Sequence, residues 1–246
     1  MKIQLVVRPY KQMIGLARYA QSLCQALVHA GIDYSLAAPT CPRPVMAAHR
    51  LLAPLGLDVR TFFSTYPLSA APLDSDALTH LTAQQMAMLL WTKPHMHPAI
   101  VTVCDIVPFL VRDDHTQSTF RHPLDRWFDA MAMWGLKRAD ALISISHFTK
   151  ETIVETLACS PEKISVVPLG VAHDVFRPLS VPEAFYQRHR LDPSLQHVLY
   201  VGSENPRKNL PRLIRAFARV REALRTSGSS RSVRPSMPLR LDNCTA

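Results

Sequence analysis

Short runs of apolar residues alternate along this chain with longer stretches whose apolar residues recur at helical spacing. "IQLVV" (Ile3 to Val7), "YSLAA" (Tyr34 to Ala38), Ile100 to Val103, "ALISI" (Ala141 to Ile145) and "ISVVPLG" are brief and apolar, as strands covered on both faces are. After the first run, Leu16, Ala20, Leu23 and Leu27 form one stripe of a helix that Gly31 stops. "LDRWFDAMAMWGLKRAD" places Leu124, Phe128 and Met131 at i, i+4 and i+7 and predicts a second helix. Ser146 reads as the N-cap of a helix running through Leu157, because its hydroxyl can accept an orphan backbone N–H. Ser160 followed by Pro161 repeats the device. Between Pro39 and Pro98 the pattern predicts a helix near Met46 to Leu52, a strand near Val59 to Phe63 and a Met-rich helix around Leu81 to Trp91.

Strands alternating with helices imply βαβ crossovers, hence an α/β fold with a doubly wound, parallel, Rossmann-like sheet. Such sheets bind ligands at the carboxyl ends of their strands, so the loops after Val7, Val103, Ile145 and Val167 are where chemistry is expected. From His173 to Gln196 the chain has three prolines and no long apolar stripe, and reads as a linker. "VLYVGSENPRKNLPRLIRAFARV" (Val198 to Val220) then opens a second strand–loop–helix unit. The stretch beyond it is rich in Ser, Arg and Pro without apolar period, as disordered segments are. The expected organisation is a domain over 1–175, a linker over 176–197, the first βα unit of an incomplete second Rossmann-like domain over 198–222, and a disordered tail over 223–246.

A hydrophobic share of 48% in 246 residues is enough to bury a core. Twenty prolines against seven glycines suit many short elements joined by stiff loops. The net charge of +9 favours polyanionic partners such as nucleic acid, anionic lipid or phosphorylated small molecules. Without a helix-turn-helix, RRM or zinc-finger pattern, nucleic acid is not expected. Cys24, Cys41, Cys104, Cys159 and Cys244 are odd in number and contain no C-x-x-C, which fits reduced thiols in a cytoplasm. No apolar run is long enough for a signal peptide or a spanning helix. The expected location is cytoplasmic, with peripheral contact at a membrane surface left open.

Arg207 and Lys208 lie between a strand signal and a helix start, where unpaired N–H groups and the helix dipole favour an anion; a diphosphate or a plain solvated basic turn both fit. Asp105, ending a buried strand in "TVCDIVP", can accept hydrogen bonds from sugar hydroxyls or cap its own loop. Neighbouring Cys104 has no identifiable base and reads as a core thiol. Gly15 and Arg18, where the first loop meets the first helix, suit close approach of a polar ligand or an ordinary helix start. His95 and His97 lack a third metal ligand at recognisable spacing, so no metal is expected. Asp113 and Asp114 read as solvated loop charges.

Five segments together, "IGLARYAQSLCQAL", "VTVCDIVPF", "RADALISISHFTKETI", "KISVVPLGVAHDVFRP" and "LYVGSENPRKNLPRLIRAF", resemble in order and separation the retaining family-4 (group 1) glycosyltransferases. The resemblance covers Met1 to about Val220. It implies the two-domain GT-B architecture, with an acceptor on the N-terminal domain, a nucleotide-sugar donor mainly on the C-terminal one, and no metal or other cofactor. Arg207 and Lys208 fall where the family places cations on the donor diphosphate. Gly15, with Arg18 nearby, falls on the loop facing the cleft. Asp105 falls on the family's cleft aspartate, the expected catalytic position, and Cys104 replaces the histidine that often precedes it. The family's pair of donor-holding glutamates has no counterpart after Val220, where Glu222 is the one glutamate. A truncated enzyme with weak or no activity is therefore expected. Its substrates would be a nucleotide-sugar donor and a glycan, lipid-linked or small-molecule acceptor. The alternative is a non-catalytic module binding an acceptor, lipid or partner chain; a nucleic-acid binder would betray itself by steep salt dependence.

Overall fold

The computed structural model describes residues 2–8, 15–52, 54, 59–120, 123–195, 197–202 and 205–226. Contacts divide the chain into two units, 1–114 with 119–170, and 115–118 with 171–246.

The first unit runs β1 (Ile3–Val6), α1 (Gly15–His29), β2 (Tyr34–Pro39), α2 (Arg43–Leu52), α3 (Val59–Thr65), β3 (Ala70–Ala71) and β4 (Leu78–Leu81). A 3-10 turn over Gln84–Met88 then leads into α4 (Leu89–Thr92), β5 (Ala99–Val103), α5 (Val107–Leu110), α6 (Pro123–Gly135), β6 (Ala141–Ser144), α7 (His147–Leu157) and β7 (Ile164–Val166). Among the described residues the strands form one sheet in the order β3-β2-β1-β4-β5-β6-β7. All neighbours are parallel except the β2–β3 edge pair. That order is the doubly wound arrangement: the chain moves outward from β1 to one side, then returns and continues through β4 to the other. Helices cover a parallel sheet on both faces, which is why its central strands are largely apolar, with Gln4, Thr79, His80 and Thr102 as buried polar exceptions.

The core is built from β1, β4, β5 and β6 (Leu5, Val6, Leu81, Val101, Val103, Leu142) and from helical residues such as Leu89, Leu90, Met133, Leu136 and Ile153. Each such side chain contributes about 1.5–3 kcal/mol on burial. Gly135, at the end of α6, lets that helix lie against the Gln84–Met88 turn. A Cβ there would stand 2.4 Å from the Ala87 carbonyl oxygen. Gly31 ends the α1 region with φ of 65°, a left-handed conformation that glycine adopts without strain.

Several local expectations change. Val59 to Phe63 is helical, not a strand: its β-branched and aromatic residues mimic strand composition, yet Phe63 of α3, with Tyr66 just beyond its end, packs against Phe128. Leu81 ends β4, and the Met-rich stretch after it is the 3-10 turn plus the short α4. In α6 the buried stripe is Asp129, Ala132 and Met133, while Leu124 is 56% exposed. Ser146 caps α7 as expected, its Oγ accepting from the Thr149 amide at 3.1 Å. Ser160 does take the N-cap position of a 3-10 turn over Pro161–Lys163, with Pro161 first, but its hydroxyl makes no capping bond and donates to the Glu162 carboxylate.

The second unit contains α8 (Glu183–His189), a 3-10 turn over Pro206–Lys208 and α9 (Leu210–Thr226). Within the stretch read as a linker, α8 forms with Glu183 in its first turn and Arg188 and His189 in its last, matching the helix dipole. Val198 to Val201 is not a strand; a strand needs a neighbour to satisfy its ladder, and none lies beside it among the described residues. Leu213, Ile214 and Val220 of α9 are exposed. The disordered tail expected over 223–246 starts too early, because α9 runs on through Thr226; 227–246, the rest of that reading, lie outside the described residues. Among the described residues no helix is long and apolar enough to cross a membrane.

Candidate active site

β1 and β4 lie side by side while the chain leaves them toward opposite edges of the sheet, so a crevice is expected beyond their carboxyl ends. Three segments converge there: the start of α1, the Thr82–Gln84 stretch after β4, and the Cys104–Asp105 turn after β5. Thr82 closes the β4 end onto β1, its Oγ1 donating to the Val6 carbonyl at 2.9 Å.

Asp105 is held by its own turn and by a neighbour. Its Oδ1 accepts from the Val107 amide at 3.2 Å, the local bond that Asp makes readily in turns. The carbonyl of Asp105 accepts from Gln84 Nε2 at 2.8 Å, and Gln84 Oε1 takes a longer, weaker bond of 3.4 Å from the Cys104 amide. Asp105 Oδ2 takes no hydrogen bond among the described residues. Burial pushes the Cys104 thiol up to about 11, with the Asp105 charge adding to the effect. A thiol that holds its proton so firmly is no nucleophile at neutral pH.

Gly15 and Arg18 are exposed on the first turn of α1. The side chain that ties this turn to the Asp105 strand is Tyr19, whose hydroxyl bonds Thr102 Oγ1 at 2.8 Å. Thr102 bonds the His80 ring Nε2 at the same distance. His80 is buried, and burial pulls its pKa down to about 4, so the ring is neutral in this chain of contacts. Tyr19, Thr102 and His80 thus link α1, β5 and β4.

Below it lies a buried acid. Asp129 of α6 is 4% exposed, and its Oδ1 accepts from the Tyr66 hydroxyl at 3.2 Å. Oδ2 is buried without a hydrogen-bond partner. Burial raises the Asp129 pKa to about 6 and Asp105 adds to the rise, while the Tyr66 bond and Arg112 oppose it. Tyr66 is raised in turn by its own burial and by Asp129.

Sequence reasoning missed Gln84, Thr102, His80, Tyr66 and Asp129. Gln84, Thr102 and His80 are polar residues in or just after apolar strands, and that misplacement was the available signal. His97 Nδ1 pairs with Asp140 at 2.7 Å, a carboxylate that also accepts from the Ala99 amide. Among the described residues no group of three metal-ligating side chains exists.

Arg207 and Lys208 belong to the second unit and sit in the 3-10 turn immediately before α9. Asn205 caps that turn, its Oδ1 accepting from the Arg207 amide at 3.2 Å. Asn209 follows with φ of 52°, a left-handed residue that breaks the turn from α9. Lys208 is exposed, and Arg207 Nε is buried without a partner. Gly15, Arg18, Cys104 and Asp105 therefore share the first unit, and the two cations stand at a helix start in the second.

Residues 13–175 match the profile of the family described as Glycosyltransferase Family 4. A search of curated proteins gave no match.

Proposed function

We propose, for a chain that belongs to glycosyltransferase family 4, that its reaction is transfer of a hexosyl group from a nucleotide-sugar to an acceptor hydroxyl with retained anomeric configuration. The observation that carries the reading is the Asp105 turn at the carboxyl edge of the sheet, within the matched segment, with one carboxylate oxygen unengaged. In this reading Asp105 Oδ2 accepts the hydrogen bond of a sugar or acceptor hydroxyl, and the exposed start of α1, with Gly15 and Arg18, lines the acceptor side. Cys104 contributes its backbone to the turn rather than its sulfur. Arg207 and Lys208 take the donor diphosphate and offset the charge that builds on it as the glycosidic bond breaks. The dipole of α9 adds to the attraction for the same anion.

Titration calorimetry with UDP- and GDP-sugars, followed by product analysis with glycan and lipid-linked acceptors, tests this. Saturable donor binding that weakens on Arg207→Ala or Lys208→Ala, with turnover that collapses on Asp105→Asn, supports it. Binding of an acceptor with no turnover of any nucleotide-sugar would replace it with the non-catalytic alternative.

A further inference from the structure

We propose that Gln84 is a positioning residue for Asp105, a role that rests on the reading of Asp105 as the acceptor-side carboxylate. Gln84 is 5% exposed and lies just past the carboxyl end of β4, where the strand order reverses. Its amide is used at both ends on one turn: Nε2 donates to the Asp105 carbonyl at 2.8 Å and Oε1 accepts from the Cys104 amide at 3.4 Å. The Cys104 carbonyl accepts in turn from Thr149 Oγ1 at 3.4 Å. Side chains from the 3-10 turn after β4 and from α7 thus satisfy part-buried backbone groups of this turn, and the turn keeps one conformation. That conformation leaves the Val107 amide on Asp105 Oδ1, and Oδ2 without a hydrogen bond among the described residues. A glutamine alone among side chains of this shape offers both a donor and an acceptor. Gln84 therefore fixes where the carboxylate points without touching substrate.

Gln84→Glu separates this role from mere packing. The introduced carboxyl has the same shape and still accepts from Cys104, but when ionised it cannot donate to the Asp105 carbonyl. Once protonated it can. Amide hydrogen exchange, read by NMR on the full chain and corrected for intrinsic rates, follows Cys104 and Val107, with Ile153 of α7 as internal control. In Gln84→Glu at neutral pH the Val107 amide exchanges at least ~10-fold faster than in wild type, on the order expected for loss of one buried bond. It returns toward the wild-type rate in acid, while Ile153 follows wild type throughout. Gln84→Leu, if folded, is fast at every pH; if it does not fold, Gln84→Glu decides alone. Val107 exchange in Gln84→Glu that equals wild type at neutral pH, or that stays fast in acid, overturns the proposal. The reading of Asp105 fails separately, if Asp105→Asn leaves transfer kinetics unchanged while the exchange pattern holds.

Discussion

Asp129→Asn gives the sharpest check on the electrostatics beneath the crevice. In the folded protein the carboxyl is raised from 3.8 to about 6, chiefly by burial. The folded state therefore keeps a proton that the unfolded chain releases. The stability this contributes is present in full below pH 3.8, falls as pH rises, and is gone above about 6. At about 1.4 kcal/mol per pH unit, ionising Asp129 in place costs about 3 kcal/mol. Asparagine cannot ionise and keeps an oxygen for Tyr66. Whatever its pH-independent penalty, the stability of the variant relative to wild type must rise by about 2.4 kcal/mol between pH 4 and pH 7, since part of the loss is already complete at pH 4. For a unit of this size that is a relative change of about 5–10 °C in Tm. Urea unfolding at several pH values measures it, followed by tryptophan fluorescence, since Trp91, Trp127 and Trp134 all lie in the first unit. Wild-type and variant stabilities that stay parallel to within about 0.5 kcal/mol over this range would refute the reasoning. His80 adds a complementary effect in both proteins. Its folded pKa lies at about 4 rather than 6.5, so its contribution is full above pH 6.5 and is lost as pH falls through 4. The two trends oppose each other in wild type, and Asp129→Asn unmasks the histidine as a steeper loss of stability in acid.

Gly135→Ala should destabilise the first unit by roughly 2 kcal/mol or more in thermal unfolding, because its Cβ would press on the Ala87 carbonyl, which is backbone and yields little. Thr102→Val removes the partner of both Tyr19 and His80 and leaves a buried ring nitrogen unpaired, an expected loss of about 2–3 kcal/mol in urea unfolding. Ser146→Ala should cost about 1 kcal/mol through loss of the α7 cap, read as a small, pH-independent drop in Tm. Under the proposed function, Arg207→Ala with Lys208→Ala should weaken nucleotide-sugar binding by about 10-fold or more in calorimetry, since each charge-assisted contact contributes about 1.5–3 kcal/mol.

Much of the central architecture was legible because it rests on local rules. The apolar runs at Ile3, Tyr34, Ile100 and Ala141 became strands, and the stripe through Ala20 and Leu27 became a buried helix face. Ser146 signalled its helix because a cap is a contact between near neighbours in sequence. Asp105 was legible for the same reason, as a polar residue closing a buried strand. The supports of Asp105 were not. Gln84 and Thr149 reach the Cys104–Asp105 turn from the 3-10 turn after β4 and from α7, across separations that no local pattern encodes. The helix at Val59–Thr65 was misread because strand-like composition was outweighed by partners on α6, which lies far along the chain.

By itself the sequence determined the alternation of strand and helix, the parallel sheet that follows from it, and the family motifs in their order. Periodicity and capping act within a few residues and leave their trace in every window of the chain. Tertiary structure decided which polar residues became buried and paired: His80 neutral on Thr102, Asp129 half-satisfied under Tyr66, Gln84 clamped to the Asp105 turn. Those outcomes depend on desolvation and on donors brought from distant strands, and both come into being only when the sheet closes.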